Sequence, residues 1–192
     1  MNYLKHSNLK DSHAYLGASK YHWLNYDKDK LIQVYKNHLA KQRGTQLHAF
    51  AAQCIALNQK LPGSKTKTLN MYVNDAISFR MVPEQILYYS ENCFGTADAI
   101  SNLDSVDKTG VLKVFDLKTG MVPAHVEQLL IYNALFCLEY KYEPKHLDIE
   151  DRIYQTGQII AVQPDPNDIK AICNQIIEFD AIINEMKKEE GL

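Results

Sequence analysis

Two runs of strand-favouring residues, one ending at Leu103 and one starting at Val111, flank Asp104-Ser105-Val106-Asp107-Lys108-Thr109-Gly110. That polar stretch closes on glycine and reads as a hairpin loop. If Leu103 pairs with Val111, antiparallel partners have numbers that sum to 214, so Ala99 faces Phe115 and Asp98 faces Asp116. Like charges placed opposite one another destabilise a sheet unless something positive lies between them. Strand alternation supplies a candidate, because Asp116 and Lys118 point the same way while Leu117 points to the other side. Two carboxylates and one ammonium then converge at one end of the hairpin. Hard oxygen ligands at that charge density suit Mg2+ or Mn2+, although an isolated Asp-x-Lys is a common tripeptide and by itself reads first as a surface salt bridge.

The rest of the chain supplies layers for such a sheet. Helical periodicity runs from Lys28 to about Lys41, and again from about Gly44 to Lys60 through Leu47, Phe50, Ala51, Cys54, Ile55 and Leu57. Leu61-Pro62-Gly63-Ser64 then breaks the chain, and residues 66–79 read as a third helix. Strand signal covers Gln85 to about Leu103, with a break near Glu91 to Gly95, and returns over Val111 to Leu117. Pro123 suits a first helical turn and is expected to open a helix reaching about Tyr140. Short strands are expected near Leu147–Tyr154 and Gln158–Val162, and Asp165-Pro166 opens a last amphipathic helix to about Lys188. The fold class is therefore α/β or α+β, with a central mixed sheet flanked by helices and an N-terminal helical extension.

At 192 residues this is one ordinary domain, 1–192, with a basic helical part over 1–67 and a core sheet with flanking helices over 68–192. No run approaches the roughly 18 apolar residues of a membrane span, and the first ten residues are polar. The expectation is a cytoplasmic protein without membrane contact. Cys54, Cys93, Cys137 and Cys173 fall in apolar segments without CxxC spacing and read as small core residues. The net charge of -2 hides an asymmetry: residues 1–67 hold 11 Lys or Arg against 3 Asp or Glu, and residues 68–192 hold 10 against 20. The basic part also carries Tyr3, Tyr15, Tyr21, Trp23, Tyr26 and Tyr35. Cations interleaved with aromatics suit a polyanion that can also stack, and suit equally a solvated helix with core tyrosines.

Four short motifs stand in order: Gly44-Thr45-Gln46-Leu47-His48, Gly95-Thr96-Ala97-Asp98, Asp116-Leu117-Lys118 and Gln128-Leu129-Leu130-Ile131-Tyr132. Together they resemble the PD-(D/E)XK nuclease superfamily, in particular its RecB-type and phage exonuclease-like branch. The resemblance implies a restriction-endonuclease-like core and a metal-dependent deoxyribonuclease, an exonuclease of phage-type recombination or repair. Asp98, Asp116 and Lys118 would be catalytic. The Mg2+ or Mn2+ ligands would be His48, Asp98, Asp116 and the Leu117 backbone carbonyl, while Gln128 and Tyr132 would contact DNA. Glu84 is a weaker candidate, since some relatives carry a functional Glu on the preceding strand. The implied partners are DNA ends, a recombinase or single-strand-binding protein, and a further copy of the chain.

Two departures qualify the resemblance. The acid of the D/E-x-K motif is Asp116, one methylene shorter than the commoner Glu, and the cysteine spacing needed for the iron–sulfur cluster of several relatives is missing, so no cluster is expected. A nuclease-like fold used only for DNA binding or as a recombination accessory, and a structure-specific endonuclease, remain alternative readings. His146, Asp148, Glu150 and Asp151 read as a solvated strand edge. Asp165 and Asp168 read as a helix start.

Overall fold

The computed structural model describes residues 3–10, 12–63, 67–104 and 110–191. Most of the expected hairpin loop, 105–109, lies outside the described residues. The chain forms two compact units, Met1–Arg43 and Gly44–Leu192. In the first, short 3-10 turns at Ser7–Leu9 and Ala18–Asn25 precede helix α1, Lys28–Ala56, whose C-terminal half belongs to the second unit. Asp27 caps α1 by accepting a 2.7 Å hydrogen bond from the Lys30 amide.

The sequence suggested two helices meeting near Gly44, but α1 runs through that position without interruption. Gly44 serves a close approach instead. A Cβ there would lie 2.8 Å from Thr119 Oγ1. The missing side chain lets α1 pass close to the segment that follows Asp116-Leu117-Lys118, which gives the first glycine of the motif series a steric purpose. Alanine normally stabilises a helix interior over glycine by about 1 kcal/mol. Gly44→Ala should therefore stabilise the Thr119→Ala protein by about that amount and give little or no gain with Thr119 present. Urea unfolding of the four proteins in a double-mutant cycle reads this coupling, and equal gains in both backgrounds would refute the close contact.

The second unit continues with α2 (Thr68–Ser78), β1 (Val82–Ser90), β2 (Cys93–Asp104), β3 (Gly110–Lys118), α3 (Glu127–Tyr140), β4 (Leu147–Gln155), β5 (Gln158–Val162) and α4 (Pro166–Glu189). The fold is α+β, with a five-stranded mixed sheet in sequential order β1-β2-β3-β4-β5. Among the described residues only β3 and β4 pair in parallel. Parallel neighbours need a long crossover, and α3 provides it.

β3 is the central strand and is buried on both faces, which explains its nearly continuous apolar run. On one face Leu112 and Val114 pack with Leu129, Leu135 and Phe136 of α3 and Ile169 of α4. On the other, Phe115 and Leu117 pack with Ala51 and Ile55 of α1, Tyr72 and Val73 of α2, and Tyr154 of β4. Arg152 and Lys113 stack on the Phe79 ring at 4.9 Å, and both pair with Glu150. Cys54, Cys137 and Cys173 are buried free thiols, and Cys93 is half-buried.

Two further expectations need correction. Helix α3 starts at Glu127, not at Pro123. The buried Gln155 amide donates to the carbonyls of Gly120 (2.8 Å) and Val122 (2.7 Å), holding residues 120–122 against the end of β4 and delaying the helix. Asp151 is not on a solvated edge but fully buried. Since β4 begins at Leu147, alternation sends Asp151 inward with Ile149 and Ile153, where Asn133 of α3 donates to it at 2.7 Å. Burial raises the Asp151 carboxyl to about 7. Among the described residues no helix is long and apolar enough to cross a membrane.

Candidate active site

The β2–β3 register is the one read from the sequence: Leu103 pairs with Val111 and Ala99 with Phe115. Pairing stops there: Asp98 and Asp116, expected to face one another, form no pair, and Asp98 turns to the Leu117 backbone instead. Leu117 is buried in the cluster opposite to that of Leu112 and Val114, as alternation requires.

The two carboxylates have different partners. Asp98 Oδ2 accepts the Leu117 backbone amide at 2.8 Å, and Asp98 Oδ1 lies 3.3 Å from His48 Nδ1. Asp116 is 3% exposed and accepts Lys118 Nζ at 2.9 Å through Oδ1, whereas its Oδ2 is buried with no hydrogen-bond partner. Burial first, and the nearby Asp98 charge second, raise the Asp116 carboxyl, with Lys118 opposing. The His48 imidazole is raised by its hydrogen bond to Asp98 against the cost of burial. An uncompensated carboxylate oxygen in a buried position is the deficit a cation relieves.

Lys118 continues the network by donating to Gln128 Oε1 at 2.8 Å, and Gln128 Nε2 donates to the Tyr132 hydroxyl at 2.9 Å. Gln128 and Tyr132 are thus joined to the lysine, one helical turn apart on α3. Burial raises the Tyr132 phenol. Its ring packs on bare backbone: a Cβ on Gly95 would lie 3.0 Å from Tyr132 Cε1. The glycine of the second motif is thereby a socket for the tyrosine of the fourth. Lys118 also borders two shallow clefts of about 270 and 280 Å3, one reaching Pro123, His125 and Gln155, the other Leu47, Leu69 and Met121.

Glu84 joins this group more firmly than its place in the sequence indicated. His48, Glu84 and Asp98 each offer a ligand atom, all within 4.8 Å of one another. Pro83 pairs with Ala99 and Gln85 with Ala97, but Glu84 and Asp98 between them form no pair, and Glu84 has a φ of 50°. A left-handed residue inside a strand is costly unless its surroundings hold it there. Although Glu84 is exposed, partial desolvation and then the Asp98 charge raise its carboxyl. The signal available in the sequence was the register, since the β1–β2 pairing sets Glu84 across from Asp98. No family model, curated protein or solved structure matches this chain.

Proposed function

We propose that this chain is a metal-dependent deoxyribonuclease, an exonuclease that hydrolyses DNA phosphodiester bonds in phage-type recombination or repair. The observation that carries the reading is the meeting of Asp98, Asp116 and Lys118, with Asp116 Oδ2 buried and unpaired. Oxygen donors from Asp98 and Glu84 with one imidazole from His48 form a group that fits Mg2+, and fits Mn2+ better through the nitrogen ligand. Asp116 stands outside that group and is a proposed further ligand, on the strength of its electrostatic coupling to Asp98 and His48. The Leu117 carbonyl is a further proposed ligand. When bound, such an ion supplies positive charge at the scissile phosphate and lowers the pKa of a coordinated water.

The side chains supply the remainder. An ammonium has three N–H donors, and Lys118 commits two, to Asp116 and Gln128. The third is available to orient the attacking water and to stabilise charge on the phosphorus oxygens as the water oxygen bonds to phosphorus and gives its proton to solvent, while the bond to the leaving oxygen breaks and that oxygen takes a proton from solvent. With two hydrogen-bonded acceptors beside it, Lys118 acts as a charged positioner and not as the base. Gln128 fixes the lysine from the other side, and the Tyr132 hydroxyl, already accepting from Gln128, keeps its own proton for the DNA strand. The two clefts at Lys118 leave room for a strand on its way to the cut and for a released product.

A time course on end-labelled linear and closed circular DNA, with Mg2+ and with Mn2+, tests the reading. The expected result is release of mononucleotides or short oligonucleotides from linear DNA only, faster with Mn2+. Cutting of circles would replace the exonuclease by an endonuclease. No cutting of either substrate, together with an unchanged melting temperature in Mn2+, would leave a binding module.

A further inference from the structure

The first unit has a feature that catalysis at Asp116 does not use. A cleft of about 320 Å3 is lined there by His13, Tyr15, Lys20, Trp23, Tyr26 and His38, among others. None of the described residues 3–43 is buried, so these rings do not close into a core. They are nevertheless ordered against one another. Tyr15 meets Tyr35 edge-on at 5.0 Å and lies 5.1 Å from His38. Trp23 is fixed by its indole N–H, which donates to the Gly17 carbonyl at 3.1 Å, and stays half-exposed.

Charge narrows what can enter. Residues 1–43 hold eight Lys or Arg against three Asp, and among the described residues no carboxylate lines the cleft. A volume near 300 Å3 is at the small end of ligand sites. Aromatic side chains on the cleft wall favour a flat π-system, and Lys20 beside them favours an anion attached to it. An unpaired base carried on a phosphate backbone has both properties.

We propose that this cleft binds an unpaired base of single-stranded DNA, stacked on the Trp23 and Tyr26 rings, with the adjoining phosphate near Lys20. The choice of DNA rests on the nuclease reading above, while the test reads binding without cleavage. Trp23 is the chain's one tryptophan, which makes it a built-in reporter.

The full chain is titrated in EDTA and low salt with an unstructured oligothymidylate. Tryptophan emission is followed in one experiment and the anisotropy of a fluorescein-labelled copy in another. Saturable quenching of Trp23 at the anisotropy midpoint is expected. Tyr26→Ala and Trp23→Ala should weaken binding roughly 5- to 150-fold, the range of one lost stacking partner, with Trp23→Phe close to wild type. The exposed Lys20→Ala, which spares the rings, should flatten the slope of log affinity against log salt by about 0.7. DNA binding with unchanged Trp23 emission and wild-type affinity in these variants would overturn the cleft and leave the nuclease reading standing. So would absence of oligothymidylate binding in a protein that still degrades linear DNA with Mn2+. Neither binding nor degradation would remove both.

Discussion

Asp116→Asn should abolish Mn2+-dependent degradation of linear DNA, by roughly 10^3-fold or more, and at the same time raise the melting temperature of the metal-free protein at neutral pH. Both halves follow from one geometry. Asp116 is buried, one of its oxygens has no partner, and the Asp98 charge adds to the cost of ionising it; together these outweigh the attraction of Lys118. A group whose carboxyl is raised in the folded state destabilises that state once it ionises, so an isosteric amide removes a penalty. The same deficit makes the position attractive to a divalent ion. Wild type should therefore gain melting temperature from Mn2+, and Asp116→Asn should gain much less. Lys118→Ala should lose activity by about 10^2- to 10^3-fold while still responding to the metal. Degradation at the wild-type rate by either variant would end the proposed mechanism, and an amide variant that melts lower would contradict the electrostatic account.

The second large effect lies outside the site. Asp151→Asn should stabilise the protein at pH 8 by up to about 4 kcal/mol, since a rise from 3.8 to about 7 spans about three units at 1.36 kcal/mol each. The sign follows from burial. A carboxyl raised in the folded state contributes its full stability below its unfolded value near 4, and that contribution is lost as pH rises through 7. The asparagine keeps the acceptor for the Asn133 amide and carries no charge. The difference in unfolding free energy between variant and wild type, measured from pH 4 to 8, should grow over that window. A flat difference would mean that Asp151 is not held as a neutral acid.

The parts of this protein that were legible in the sequence are those set by local rules. A polar loop ending in Gly110 marked where β2 gives way to β3, and with it the pairing of Ala99 with Phe115, although pairing ends there and Asp98 is coupled to Asp116 through charge without pairing with it. The same rules misled where tertiary contact decides. Gly44 reads as a helix break because glycine is a poor helix former, yet its use is to let Thr119 come close. Pro123 reads as a helix start, but the Gln155 amide from a distant strand claims the preceding carbonyls. Asp151 reads as solvated because of its place at the start of a strand, whereas alternation from Leu147 turns it inward. Glu84 could be ranked only once β1 was paired with β2, because its left-handed backbone has no counterpart in strand propensity.

The Gln128 side chain links two unlike partners, and it can do so only one way round. Its oxygen must face the ammonium of Lys118 and its nitrogen the oxygen of Tyr132. The line from Lys118 to Tyr132 therefore has a head and a tail: an ammonium at one end, a neutral hydroxyl at the other, and a fixed dipole between. Gln128→Glu would put a second acceptor where the line needs a donor, so the Tyr132 hydroxyl would have to turn and give its proton to the carboxylate.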